Sequence, residues 1–182
     1  MSILPLEVKE EPSAAHLPQE PDDRTAHARV SFPPPANRAG VGLETIVTAK
    51  EGETVSSLLG RHYGWVNLTM LDLVLDSNPE ITNVNLIYIN QAIRFPRITE
   101  ESLIVTSPDF RYKIHAGTFR TQDASKPYIN EPILTGKEIE VIPRQVSPQE
   151  TWYRVIIGKF KDKEEALRTI RALKQKRLLP LF

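Results

Sequence analysis

Bond-breaking chemistry in this chain would have to come from its carboxylates, or from a hydroxyl beside an imidazole. A glycosidase needs two carboxyl groups facing each other across a cleft, one of them kept protonated by its surroundings. Glu53, Asp72, Glu80 and Glu150 fall in separate loops and separate modules, and neither module is large enough for such a cleft. Ser56, Ser57 and His62 share one predicted helix, where their spacing suits capping and exposure rather than a nucleophile and its base. There is no nucleophile elbow and no glycine-rich phosphate loop. The chain has no cysteine, which excludes a disulfide framework, a thiol nucleophile and the usual zinc ribbons. His16 and His27 lie in a proline-rich segment that gives them no fixed geometry, so no metal site is expected. The residues point to binding without catalysis, and no cofactor is implied.

Binding needs elements that hold loops in place, and the stretch from Glu44 to Arg97 supplies them. Thr45, Ile46, Val47 and Thr48 are β-branched and favour a strand, followed by a turn at Gly52 and a capping hydroxyl at Thr54. Val55, Leu58, Leu59 and Tyr63 recur at helical spacing. A second periodic run, Leu68, Leu71 and Leu75, follows a break at Gly64 and a cap at Asn67. Asn78 and Pro79 stop that helix. After the loop 80–85, a second apolar strand pattern runs through Leu86 to Ile89 and on through Ile93 to Pro96. The expected unit is βααβ, with two antiparallel strands and two short helices.

In order and spacing, Glu51-Gly52-Glu53-Thr54-Val55-Ser56-Ser57-Leu58, Asn78-Pro79-Glu80-Ile81 and the run from Asn85 to Pro96 resemble a LysM domain over residues 44–97. One departure is Asn90, where that family usually has glycine, although asparagine tolerates the left-handed backbone better than most residues. The resemblance implies a shallow groove for the N-acetylglucosamine-containing glycan of peptidoglycan or chitin. Its walls would be Gly52, Glu53, Thr54 and Val55 on one side and Asn78, Pro79, Glu80 and Ile81 on the other. Free backbone groups at the helix ends suit an acetamido group, and Leu86 and Ile87 would face its methyl. Net hydrogen-bond energies of roughly 0.5 to 1.5 kcal/mol each imply weak binding at a single site. The alternative is that these residues only cap helices and close turns.

The second half contains a repeat. Tyr112-Lys113-Ile114-His115-Ala116-Gly117-Thr118-Phe119-Arg120 and Tyr153-Arg154-Val155-Ile156-Ile157-Gly158-Lys159-Phe160-Lys161 share aromatic, base, β-branched residue, Gly and Phe at equal offsets, and each alternates as a strand. Asp162 and Glu165 then form a capping box for a helix through Leu173. The segment after the first copy is cut short by Pro127 and Pro132, residues 139–146 read as a strand, and Leu178 to Phe182 read as a last short strand. The expected fold is βαββαβ, a four-stranded antiparallel sheet with both helices on one face. Paired strands ending in Gly-x-Phe resemble the SPOR domain, here over residues 110–182. That resemblance implies binding to glycan strands stripped of their peptides, through the sheet face that the helices leave open. Alternation puts Lys113, His115, Trp152, Arg154 and Ile156 on that face, and the family's pattern adds Thr118. Trp152 would stack on a sugar ring, while Arg154 or Lys113 would pair with the lactyl carboxylate of N-acetylmuramic acid. The alternative is that Trp152 packs on the linker and the bases are solvated.

At 40% apolar and 25% charged residues with a net charge of +0, the chain carries no bias toward nucleic acid. Residues 1–43 are rich in proline and without apolar period, so they read as a disordered tail; 98–110 reads as a linker between domains at 44–97 and 111–182. No stretch approaches the roughly 20 apolar residues of a membrane span. Met1 to Val8 lacks a basic start and a cleavage pattern, yet the modules suit a periplasmic or cell-envelope location, as in the exported end of something longer or a chain whose start is called too late. The fold class is α+β. The expected function is non-catalytic binding of peptidoglycan glycan strands that localises an envelope protein at the bacterial cell wall. The competing expectation is an assembly module of a secretion or envelope complex, such as the C-terminal part of a larger membrane-anchored ATPase.

Overall fold

A computed structural model describes residues 44–106 and 111–181. The tail expected over 1–43 lies outside the described residues, as does part of the 98–110 linker.

The first module runs β1 (Thr45–Thr48), α1 (Val55–Tyr63), α2 (Leu68–Ser77) and β2 (Ala92–Phe95). β1 and β2 pair antiparallel, Thr45 with Phe95 and Thr48 with Ala92. The second strand is therefore 92–95, while Leu86 to Tyr88 are irregular and Ile89 enters a turn. The reason is local: Asn90, at φ 67, reverses the chain, and its N–H reaches the Ala49 carbonyl at 2.8 Å. Pairing can start only beyond that point. The helix ends follow the sequence closely. Thr54 and Ser57 exchange side-chain and backbone bonds at 3.1 and 2.9 Å, α1 ends on left-handed Gly64, and the Asn67 side chain caps α2 by accepting from Met70 N–H at 2.8 Å.

The second module is a four-stranded sheet in the order β3-β4-β6-β5, every pair antiparallel: β3 (Ile104–Thr106), β4 (Tyr112–Phe119), β5 (Glu138–Ser147) and β6 (Glu150–Phe160). The two copies of the repeat are the neighbouring strands β4 and β6, paired from Tyr112 against Phe160 to Phe119 against Tyr153. Helix α3 (Lys126–Ile129) is a single turn preceded by a 3-10 turn, as the prolines require, and α4 (Lys163–Gln175) is capped by Asp162. One expectation is corrected: the edge beside β4 is filled by Ile104–Thr106 from the presumed linker, and 178–181 is not a strand. Those last residues serve the core instead, where Leu179 and Leu181 are buried.

Ile114, Val155 and Ile157 of the sheet are buried together with Ala166, Ile170 and Leu173 of α4. Against the opposite face lies α2, whose residues from Thr69 through Leu75 are all buried. A helix buried nearly all round must be sandwiched, and α2 is: one side closes its own βααβ module, the other lies on the sheet. The described residues of both modules thus fall within one compact unit.

Candidate functional site

The residues expected on an open sheet face do alternate onto the face away from α4, but that face is not open. Helix α2 covers its central part. His115, Thr118, Trp152 and Ile156 are buried, Trp152 to 2% exposure. Trp152 donates its indole N–H to Glu150 at 2.7 Å, so it offers no platform to solvent. The face stays partly accessible where Lys113 of β4 reaches across β6 to pair with Glu140 of β5 at 2.7 Å, each side chain keeping about a third of its surface.

The centre of the contact is a carboxylate that sequence reasoning had set aside. Asp72 of α2 is completely buried. Arg154 holds it as a fork, with Nε 2.6 Å from one oxygen and Nη2 2.7 Å from the other. Thr118 donates its hydroxyl at 2.6 Å, His115 Nε2 lies 3.5 Å away, and Arg144 adds a further guanidinium bond. One turn later Asp76 takes Arg144 at 2.7 Å and Arg154 at 2.6 Å. The Thr69 hydroxyl accepts from Thr118 N–H at 3.0 Å, completing the face Thr69, Asp72, Asp76.

Burial alone would raise the Asp72 pKa, because a carboxylate loses its water there. The charge and hydrogen bonds of Arg154, with the charge of Arg144, outweigh that and hold the group well below the usual carboxylate range. Arg154 responds in kind: burial would lower it, but Asp72 and Asp76 push it above the ordinary guanidinium value. The arrangement can hold a planar anion bidentately, and α2 already supplies one.

In the first module the predicted groove residues divide. Val55, Asn78 and Ile81 are buried. The Asn78 side chain donates to the Val74 and Arg94 carbonyls at 2.7 and 2.8 Å and accepts from Arg94 N–H at 2.8 Å, tying the end of α2 to β2. Thr54 is committed to its capping box. Glu53 accepts from Lys50 N–H at 2.7 Å and pairs with Arg61. Gly52, Pro79, Glu80 and Leu86 are exposed and Ile87 is half-buried, with Glu80 2.9 Å from Arg94. Elsewhere, a notch of about 260 Å3 opens at the Thr45 and Phe95 end of the ribbon, lined by His62, Tyr63, Phe95 and Arg97. The His62 ring lies tilted against Phe95, with 5.0 Å between ring centroids.

Arg144, Asp72 and Asp76 were missed as a set, but a signal was present. An acid in the middle of the apolar run Leu68 to Leu75, with a second acid four residues on, marks a charged stripe on a helix with no polar side to spare. Such an acid needs a cationic partner.

Residues 108–180 match the family model of the SPOR domain. SPOR domains are non-catalytic peptidoglycan-binding modules. The match does not extend to residues 44–97, where no LysM model is matched. No curated protein and no solved structure shows significant similarity to the chain.

Proposed function

We propose that this chain is a non-catalytic module that binds the glycan strands of bacterial peptidoglycan and holds an envelope protein at the cell wall. The observation that carries the reading is the SPOR match over 108–180 on a four-stranded antiparallel sheet. The βααβ order of residues 44–97, with its antiparallel ribbon, supports a LysM-like second hold on the same polymer. Of the residues assigned to that groove, Gly52, Thr54, Pro79, Glu80, Leu86 and Ile87 have the exposure to touch a sugar. Of the sheet-face set, Lys113 and Arg154 keep some side-chain exposure; His115, Thr118, Trp152 and Ile156 are buried and would meet glycan only with α2 lifted from the sheet.

Cosedimentation with purified sacculi, with and without amidase treatment to strip stem peptides, tests the reading. Retention of the folded chain in the pellet is the expected result. Its complete absence from both pellets would overturn the proposal. Glu80→Ala and Leu86→Ala are the informative variants for the first module, because their side chains are not part of the core. One observation favours a second reading, an assembly module of an envelope complex: the sheet already grips a helix through paired arginines.

A further inference from the structure

The cation pair on the sheet is the one polar cluster in the described residues that is assembled from four separate elements. Arg144 stands on β5 and Arg154 on β6, their side chains each 22% exposed. Thr118 and His115 come from β4, and both acids come from α2. Ion pairs that only join two modules do not need a buried guanidinium fork; apolar residues of similar volume hold modules together as well or better. A fork built into a sheet face suits a carboxylate.

The glycan has one candidate. In intact peptidoglycan the lactyl group of N-acetylmuramic acid is tied up as an amide to the stem peptide. Hydrolysis of that amide by an amidase frees a carboxylate on the sugar and leaves the peptide's amine. Only the stripped strand therefore presents an anion that a guanidinium pair can hold bidentately.

We propose that Arg144 and Arg154 form one carboxylate-binding site for the lactyl group of stripped glycan, and that Asp72 and Asp76 of α2 occupy it in the closed chain as an internal competitor. The inference rests on the glycan reading above and adds its regulation. A strand takes the site only when α2 and the loop after it lift from the sheet. Apparent affinity is then the intrinsic affinity reduced by the small fraction of open chain. Two contacts flank the cluster: the Asn67 side chain at the start of α2 donates to the Pro180 carbonyl at 2.6 Å, and beyond α2 the loop touches β5 where Val84 N–H bonds to the Val146 carbonyl at 2.8 Å.

Because the natural chain has no cysteine, the contact can be locked cleanly. Val84→Cys with Val146→Cys places a disulfide across that backbone bond without touching the arginines. The readout is the gain in pelleting on amidase-treated over untreated sacculi, for reduced and oxidised protein whose circular dichroism is native. The expected result is a gain in the reduced form that the oxidised form loses, and a gain on the order of tenfold larger in Asp72→Asn with Asp76→Asn. An equal gain in both redox forms, or retention indifferent to amidase treatment, overturns the competitor and leaves the glycan reading standing. No retention of either form on either sacculus overturns the glycan reading and the competitor together.

Discussion

Asp72 decides more than any other side chain. Removing one member of a buried, hydrogen-bonded charge cluster leaves the others desolvated and unpaired, at a cost of about 3–5 kcal/mol. Asp72→Ala should lower the midpoint of thermal unfolding far more than Glu80→Ala, whose pair is solvent-exposed and is worth about 0–1 kcal/mol. The pH dependence has a definite sign. The folded-state pKa of Asp72 lies below its unfolded value of about 3.9, so its contribution is fully present above about pH 5 and is lost as pH falls through the acid range. The gap between the melting curves of wild type and Asp72→Asn should narrow as pH falls below about pH 4; a gap that opens there would contradict the assignment. Asn78→Ala removes three side-chain hydrogen bonds and leaves the part-buried Arg94 N–H unpaired. The expected loss is about 1–3 kcal/mol, read by denaturant titration, which makes it a stability variant rather than a probe of sugar binding.

The two glycines of the repeat occupy equal offsets, but the elements around them treat them differently. A Cβ on Gly117 would lie 2.8 Å from the Phe119 ring and from Pro180, so β4 needs the bare backbone for the C-terminal residues to pack. A Cβ on Gly158 meets nothing closer than 3.7 Å. Gly117→Ala should cost about 1–3 kcal/mol by overpacking, and Gly158→Ala close to nothing; equal losses would contradict this geometry. At this scale the sequence was legible where local rules govern. The caps at Thr54, Asn67 and Asp162, the breaks at Gly64 and Asn78, and the paired repeat strands all follow from residue type and spacing. It was not legible where a choice between segments is settled by tertiary contact. Ile104 to Thr106 and Leu178 to Phe182 are both short and apolar, and only the packing decides which becomes the edge strand. Leu86 to Ile89 has strand composition, but the reversal at Asn90 leaves it without a partner.

At the scale of the whole molecule, the face that a SPOR sheet leaves open is closed here by a helix from the preceding module. Alternation along β4 and β6 correctly assigned side chains to that face; nothing in either strand says what covers it. The closure also couples the halves energetically. Thermal unfolding of wild type should therefore be one cooperative transition by both circular dichroism and tryptophan fluorescence, since Trp65 lies in the first module and Trp152 in the second. Two separate transitions in the wild-type protein would contradict a shared core.

The account depends on the SPOR half engaging glycan, and amide hydrogen exchange on the full chain with soluble, peptide-free glycan strands reads that most directly. The predicted result is slower exchange in β4 and β6, which carry His115 and Arg154, and faster exchange in α2 as it leaves the sheet. Unchanged exchange throughout 108–180 at saturating glycan would contradict it.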